Sequence, residues 1–127
     1  MVKHLPYRYR DYSRIAAEAS LAARDQGKFR EMHLLLLDRS PKLDRESLIG
    51  CAKELKLDVP RFTKELDTMR HEKEIDRDAK LGEALDLYNT PTIFINGVKL
   101  LGDRPFEAYK TVIDRELKAG GPGGKNR

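Results

Sequence analysis

The sequence is poor in the residues that build disulfide frameworks and membrane segments. Its 127 residues include one cysteine, Cys51, and no tryptophan, so a framework of internal disulfides is excluded. The longest plain apolar run is Leu34–Leu37, whereas a membrane-spanning helix needs about 18 apolar residues. We therefore expect no membrane segment. The start of the chain also lacks the apolar region and the small-residue cleavage site of a secretory signal, which leaves the compartment open.

Signatures of bound cofactors and metals are equally scarce. The sequence has no phosphate-cradling glycine loop, no dinucleotide fingerprint and no G-x-S-x-G, so we expect no cofactor. The histidines His4, His33 and His71 lack the short i, i+4 pairing that zinc hydrolases show, and we predict no metal site. We interpret His71 as a cation at a helix end. Neither Glu65 with Met69 nor Glu72 with Asp76 gives a paired catalytic geometry on the helix faces.

The positive charge of the chain lies mainly at its two ends. The net charge is +4 and the pI is about 9.2. The segment Tyr7–Arg10 alternates aromatic and cationic residues, a pattern found in proteins that bind single-stranded nucleic acids. Two such pairs are too few to favour a nucleic-acid binder, because the body of the chain is near charge balance.

The body of the chain shows helical periodicity and helix-start signals. Apolar content of 39% and charged content of 36% suit one soluble, helix-rich domain. Asp44 and Asp58 are predicted N-caps, and Gly27 is a predicted left-handed C-cap. We predict helices over Asp11–Gln26, Lys28–Asp38, Asp44–Lys56, from Asp58 onward, over Ile75–Leu87 and over Pro105–Lys118. The predicted inward residues include Tyr12, Leu85, Phe106, Ile113 and Leu117.

A β-hairpin is predicted near the end of the chain. Thr92–Ile95 and Val98–Leu101 are apolar runs on either side of Asn96-Gly97, a pair that favours a type I′ turn. Both faces of the first strand are apolar, so it needs cover on both sides. Pro91 fits the entrance of that strand, and the Thr90–Pro91 bond is a place where a cis peptide could be held. Val2–Leu5 is a further short strand candidate.

The segment T-P-T-I-F-I-N-G-V, followed by Pro105-Phe106 and a closing helix, resembles the cis-proline loop, final hairpin and last helix of DsbA-like thiol–disulfide oxidoreductases, which belong to the thioredoxin superfamily. The start V-K-H-L-P resembles the strand that leads into the helical insert of that family, and the helical segments after it are similar to the insert. The resemblance covers about residues 2–117. It implies an α/β, incomplete thioredoxin-like fold that is rich in helices.

The expected domain is a single incomplete thioredoxin-like unit over residues 1–119. Residues 11–87 would be the helical insert, residues 88–118 the hairpin and last helix, and residues 120–127 a disordered tail. The reactive C-x-x-C of the family should precede Val2 and is absent. Three origins remain open: a piece of a longer oxidoreductase, a recorded start at an internal methionine, or a shortened paralogue.

In the family, the strand before C-x-x-C is central in the sheet. Without it, Thr92–Ile95 would present unpaired backbone groups along an apolar edge, and such edges recruit another strand. We therefore expect the edge to pair either with Val2–Leu5 or with a second copy of the chain in a homodimer.

The function that the resemblance implies is thiol–disulfide exchange with protein or peptide thiols and disulfides, inactive in these 127 residues alone. Thr90 and Pro91 would lie against the reactive cysteines and offer backbone contacts to an extended substrate. The alternative is a non-catalytic binding or assembly module. Cys51 could be a lone nucleophile, but its place on a stripe with Leu48 and Leu55 favours a small buried apolar residue.

Overall fold

The chain is described from a computed structural model, which places residues 1–6 and 12–120. It divides into two compact units, Met1–Gly82 and Glu83–Arg127, here called the helical unit and the hairpin unit. None of the helices in the described residues is long and apolar enough to cross a membrane. The elements are α1 Ser13–Arg24, α2 Phe29–Arg39, α3 Arg45–Glu54, α4 Val59–Asp67, α5 Glu72–Ala84, β1 Thr92–Ile95, β2 Val98–Leu101 and α6 Phe106–Lys118.

The core of the helical unit is built around the small residues of α1. Ala19, Ala22 and Ala23 are fully buried, and their short side chains let neighbouring helices approach closely. The opposite side of α1 packs Ala17 and Leu21 against Ile75 of α5, so α1 is covered on both sides. The main cluster also contains Met32, Leu36, Leu48, Cys51, Ala52, Leu57, Phe62 and Leu66.

The predicted helix ends are confirmed at several positions. The Asp44 side chain accepts a hydrogen bond from the Ser47 N–H at 3.3 Å, and Asp58 accepts from the Arg61 N–H at 3.0 Å. Gly27 has a φ of 75°, the left-handed conformation predicted for a C-cap. The helix boundaries themselves differ from the predictions by one or two residues at most ends, as expected where helix ends fray.

The prediction of a strand at Val2–Leu5 is wrong, because no strand forms there. This segment packs on the helical unit instead. The His4 N–H donates to Oδ2 of Asp78 at 3.0 Å, and the Lys3 ammonium lies 3.2 Å from the other Asp78 oxygen. The Leu5 side chain lies over Gly82, where an added Cβ would be only 2.8 Å from Leu5 Cδ1. The buried Asp78 carboxylate therefore accepts a hydrogen bond from a backbone N–H that a strand would have used in a sheet.

The hairpin unit contains one two-stranded antiparallel sheet and α6. The register pairs Thr92 with Leu101 and Ile95 with Val98. Asn96 and Gly97 have φ values of 49° and 83°, so the predicted type I′ turn is confirmed. In the described residues the sheet has only these two strands, and Val2–Leu5 does not extend it.

Five residues predicted to face inward are exposed. Tyr12 precedes α1 with a φ of 67° and Leu85 follows the last residue of α5, so neither lies on the helix stripe that the periodicity assumed. In α6 only Val112 is buried, because no described element of the hairpin unit covers the rest of its apolar face. The exposed residues are Tyr12, Leu85, Phe106, Ile113 and Leu117. The predictions for Asp11, Tyr7–Arg10 and residues 121–127 lie outside the described residues.

The helix-rich architecture, with a β-hairpin and a final helix at the C-terminal end, is as predicted. Local sequence signals determine most of it: alternating caps, a hairpin turn and periodic apolar stripes. This architecture places the Thr90–Pro91 loop at the entrance of β1.

Candidate functional site

The first candidate site is the loop that enters β1. The Thr90–Pro91 peptide bond is cis, and both residues are exposed. The Gly102 N–H donates to the Pro91 carbonyl at 2.8 Å, which extends the ladder by one step beyond β1. The Thr92 hydroxyl donates to the Asn89 carbonyl at 2.7 Å. The loop is therefore held by hydrogen bonds on both sides of the proline.

The outer edge of β1 follows from the hydrogen-bond alternation of an antiparallel pair. A two-residue loop makes Ile95 and Val98 a hydrogen-bonded pair, and every second residue of β1 then bonds β2. Ile93 and Pro91 continue that series, as the Gly102–Pro91 bond indicates. Thr92 and Phe94 consequently direct their backbone N–H and C=O groups away from β2, toward the edge of β1 that no strand of residues 1–6 and 12–120 occupies. We call this the free edge of β1.

The hairpin unit also exposes apolar side chains. Phe106 is 74% exposed and Leu117 is 70% exposed, while Phe94 and Ile93 of β1 are 45% and 37% exposed. Single exposed apolar residues are ordinary. Here they give the hairpin unit apolar area on both faces of β1, because successive strand residues alternate faces, and near both ends of α6. The loop, the edge of β1 and these side chains belong to one unit and share the same short stretch of sequence.

The thiol of Cys51 lies elsewhere, in α3 of the helical unit. It is fully buried among Leu48, Ala52 and other core residues. Arg39 Nη1 lies 3.5 Å from its Sγ, and the same guanidinium pairs with Glu54. Sequence reasoning found no cation beside this thiol, because Arg39 comes from another helix. The burial leaves no surface on Cys51 for attack on a protein disulfide.

A second candidate site, missed by sequence reasoning, is a cluster of acidic and histidine side chains in the helical unit. His71 Nε2 lies 3.1 Å from Asp25 Oδ2 and 3.3 Å from Glu65 Oε2. The backbone N–H of His71 donates to Glu18 Oε1 at 2.7 Å. Glu18, Glu65 and His71 are all buried. We call these four residues the Asp25–His71 cluster.

The electrostatics of this cluster centre on Glu18. Burial raises the pKa of its carboxyl group, while the hydrogen bond from the His71 backbone and the His71 ring oppose that rise, and the Glu65 carboxylate adds to it. Glu18 Oε2 is buried and has no hydrogen-bond partner among the described residues. Burying a carboxylate oxygen without a partner costs folding free energy. This atom therefore indicates a place where a hydrogen-bond donor or a cation would stabilise the cluster.

The cluster escaped detection because its members are distant in the sequence. Asp25 follows α1, Glu65 lies in α4 and His71 precedes α5. A spacing rule within one helix cannot find such a set. Glu65 also lines an open cavity of about 390 Å³ together with Arg61, Lys64, Thr68 and Arg70. One side of the cluster therefore lies next to a solvent-connected space.

Comparison with known proteins gives a family and a fold. Residues 3–114 match the family model of the DSBA-like thioredoxin domain. A solved thioredoxin-like oxidoreductase from Silicibacter pomeroyi DSS-3 is 26% identical, with a TM-score of 0.80 over 92% of this chain and 67% of that chain. The predicted resemblance and the thioredoxin-like fold are confirmed.

Curated relatives are named as sodium/proton antiporters. The chain is 38% identical over 112 residues to Na(+)/H(+) antiporter NhaA 1 of Salinispora arenicola, covering 87% of this chain and 17% of that protein. It is 37% identical over 114 residues to NhaA of Herminiimonas arsenicoxydans, covering 90% of this chain and 18% of that protein. The chain thus spans less than one fifth of the length of these relatives.

Proposed function

Because this chain belongs to the DSBA-like thioredoxin domain family, we propose that it is a thiol–disulfide oxidoreductase domain, or part of one, whose two reactive cysteines are supplied from outside these 127 residues. The observation that carries the proposal is the exposed Thr90–Pro91 loop at the entrance of β1, held by the Gly102–Pro91 and Thr92–Asn89 hydrogen bonds. The substrates would be thiols and disulfides of proteins or peptides.

The chemistry requires two thiols. One thiolate attacks a substrate disulfide, a mixed disulfide forms, and the second substrate sulfur leaves as a thiolate. The other cysteine of the pair then attacks the mixed disulfide, so that the substrate leaves as a dithiol and two electrons pass to it. Cys51 alone cannot complete this cycle, and its full burial argues against the first step as well. In the 127 residues alone we therefore expect no turnover.

Thr90 and Pro91 would hold the substrate rather than react with it. In this proposal their backbone contacts an extended peptide next to the reactive sulfur atoms. The outward-facing backbone of Thr92 and Phe94 would pair with the strand that precedes the reactive cysteines. Pairing with that strand would satisfy backbone groups that otherwise favour association with another chain. A homodimer through Thr92–Ile95 is the alternative occupant of that edge.

We further propose that residues 1–119 are one domain of this family, with residues 11–87 as a helical insert and residues 88–118 as the hairpin and final helix. The family match across residues 3–114 supports a single evolutionary unit.

A non-catalytic binding or assembly module is the second candidate. Its support is the single buried cysteine together with the partial matches to proteins named as sodium/proton antiporters. In that role the domain would accompany a transporter and bind a protein segment through the apolar surface of the hairpin unit, without redox turnover.

The test begins with the reading frame before the Met1 codon. If a C-x-x-C is encoded there, the longer chain should reduce insulin in the presence of a thiol reductant, and the 127-residue chain should not. In the longer chain, Pro91→Ala should lower the rate, whereas Pro105→Ala, at the start of α6, should leave it nearly unchanged. Absence of an in-frame C-x-x-C together with no insulin reduction would favour the binding module. Activity of the 127-residue chain that survives Cys51→Ser would contradict both candidates.

A further inference from the structure

We propose that the Asp25–His71 cluster of the helical unit is a divalent transition-metal site, with Asp25, Glu65 and His71 as ligands and Zn²⁺ as the ion that fits them best. The proposal is independent of thiol–disulfide exchange, because it involves no residue of the Thr90–Pro91 loop and no cysteine. It would give the helical unit a bound ion with a structural role.

The spacing of the ligand atoms matches a metal centre. Two ligands at 2.0–2.1 Å from Zn²⁺, at a tetrahedral angle, lie roughly 3.3–3.4 Å apart. Nε2 of His71 is 3.1 Å from Asp25 Oδ2 and 3.3 Å from Glu65 Oε2. The three ligand atoms all lie within 4.8 Å of one another. The two contacts with Nε2 are therefore within about 0.3 Å of the spacing that one ion requires, and the two carboxylate oxygens need only close any remaining gap between them to share it.

The two carboxylates are oriented by residues outside the ligand set. Oε1 of Glu65 accepts a hydrogen bond from Arg61 Nε at 3.1 Å, which leaves Oε2 for the cluster. Oδ1 of Asp25 lies 3.5 Å from Arg24 Nη2, which leaves Oδ2. In both residues an arginine holds one oxygen and the other faces His71. Such outer contacts fix the ligands of metal sites in proteins.

Glu18 supplies an independent indication of a cation. Its Oε1 accepts from the His71 backbone N–H at 2.7 Å, while its Oε2 is buried and finds no partner in the part of the chain that the structure describes. The Glu18 carboxyl group interacts electrostatically with both Glu65 and the His71 ring. A divalent ion held by His71 and Glu65 would offset the negative charge of three carboxylates in a buried place.

A protonated His71 is the competing explanation, and it satisfies less of the cluster. The imidazolium carries one proton on Nε2, and two carboxylate oxygens lie within 3.3 Å of that nitrogen. One N–H shared between two oxygens makes two bent and weaker hydrogen bonds, whereas a metal ion binds both oxygens together with neutral Nε2. The mixed oxygen and nitrogen ligands suit Zn²⁺ better than Mg²⁺, which prefers oxygen ligands alone.

The ion also has a path into the cluster. Glu65 lines the open cavity that contains Arg61, Lys64 and Arg70. These cations oppose the approach of a metal ion, so we expect affinity below that of structural sites built from four cysteines. Because protein ligands bind metal ions in their deprotonated forms, affinity should fall as the pH decreases.

The test is titration of the metal-free 127-residue chain with Zn²⁺, followed by isothermal calorimetry. We expect one ion per chain and a higher thermal unfolding midpoint with Zn²⁺ than with Mg²⁺. His71→Gln and Glu65→Gln should each weaken Zn²⁺ binding by at least tenfold. The matched controls His33→Gln and Glu46→Gln, the latter at an exposed position of α3, should bind as the unmodified chain does.

A second measurement keeps the test valid if a variant fails to fold. In the unmodified chain, NMR of the imidazole rings should show Zn²⁺ shifting the His71 resonances, with those of His4 and His33 unchanged. No saturable Zn²⁺ binding, or binding that shifts another histidine instead, would overturn the proposal. A His71 ring that stays protonated at neutral pH in excess Zn²⁺ would assign the cluster to ion pairing alone.

Discussion

The helical unit and the hairpin unit bury apolar side chains to very different extents. In the helical unit, Met32, Leu48 and Phe62 have no exposed surface. In the described part of the hairpin unit, Val112 is the only hydrophobic residue that is buried, at 9% exposure, while Phe106 is 74% exposed. The helical unit therefore carries its own core, and the hairpin unit presents apolar surface that another segment could cover.

The residues that stabilise the fold and the residues that are exposed for binding therefore lie in different units of this chain. Burial of apolar area is the main favourable term in folding, so the helical unit should dominate the free energy of unfolding. The hairpin unit contains the exposed Thr90–Pro91 loop and the free edge of β1, which are the features of a binding surface. Matched substitutions in the two units should therefore change the free energy of unfolding strongly in the helical unit and weakly in the hairpin unit.

The largest expected effect comes from removing a core side chain. Phe62→Ala should lower the free energy of unfolding by about 3–5 kcal/mol, because it deletes a fully buried aromatic ring and leaves a cavity. Phe106→Ala should change it by less than about 0.5 kcal/mol, because that ring is mostly exposed. Urea denaturation followed by circular dichroism measures both. Equal losses in the two variants would show that the hairpin unit has a core of comparable strength.

The next effect is a dependence of stability on pH that originates in the helical unit. Burial raises the pKa of Glu18 above its ordinary value, so the folded state keeps this proton to higher pH than the unfolded state does. Between the ordinary pKa and the raised pKa, the folded state binds more protons, and its stability must fall as pH rises. One proton contributes at most about 1.4 kcal/mol per pH unit.

Glu18→Gln tests this sign. The glutamine keeps an oxygen to accept from the His71 N–H and cannot ionise, so the variant should lack this loss of stability. We expect the difference in unfolding free energy, wild type minus variant, to decrease as the pH rises above about 4.5, when a chelator is present to exclude metal ions. Glu46→Gln, at an exposed position of α3, is the control. A difference that does not change with pH would contradict the raised pKa.

Much of the fold could be predicted from local sequence. Asp44 and Asp58 were predictable as N-caps because the capping bond spans only three residues. The Asn96-Gly97 turn was predictable because positive φ at two successive positions favours these residues. The family resemblance rested on the same local segments, and it was confirmed.

Features that depend on tertiary contact could not be predicted. Val2–Leu5 has strand-like composition, yet the Asp78 carboxylate in α5 takes its backbone N–H at His4. The exposure of Leu117 depends on whether anything covers α6, which periodicity does not reveal. The Asp25–His71 cluster joins residues up to 53 positions apart in the sequence, so no spacing rule could detect it. Thr90 and Pro91 as substrate contacts remain a prediction.

Hydrogen exchange tests the free edge of the hairpin unit. The amides of Ile93 and Ile95 bond β2, whereas those of Thr92 and Phe94 face outward. In the 127-residue chain we expect the two outward amides to exchange at least about tenfold faster than the two inward ones, a difference of roughly 1.4 kcal/mol in local opening. NMR-detected exchange measures all four in one sample.

The same experiment distinguishes the occupants of the edge. A Phe94 amide that exchanges as slowly as that of Ile95 would mean that a strand already pairs there. Light scattering on that sample would then show a dimer if a second copy supplies the strand. Fast exchange in a monomer would leave the edge available for the segment that carries the reactive cysteines.

The smallest effect compares helix starts in the two units. In the helical unit the Asp58 side chain caps α4 by accepting from the Arg61 N–H. The backbone N–H of Asp58 in turn donates to Gln26 Oε1 at 2.8 Å. In the hairpin unit Pro105 begins α6 with no side-chain cap. Asp58→Ala should lower the free energy of unfolding by about 1 kcal/mol.

Asp58→Asn is the matched control for this change, because asparagine keeps the capping oxygen and loses only the charge, so it should be nearly neutral. Pro105→Ser introduces a hydroxyl where α6 has no cap, and the backbone at that position already has an extended ψ of 149°. If the hairpin unit contributes little to global unfolding, this added cap should slow amide exchange in the first turn of α6 and leave the global midpoint unchanged. If Pro105→Ser instead raised the free energy of global unfolding by as much as Asp58→Ala lowers it, the two units would unfold in one step. The exposed apolar residues of the hairpin unit would then not indicate low local stability.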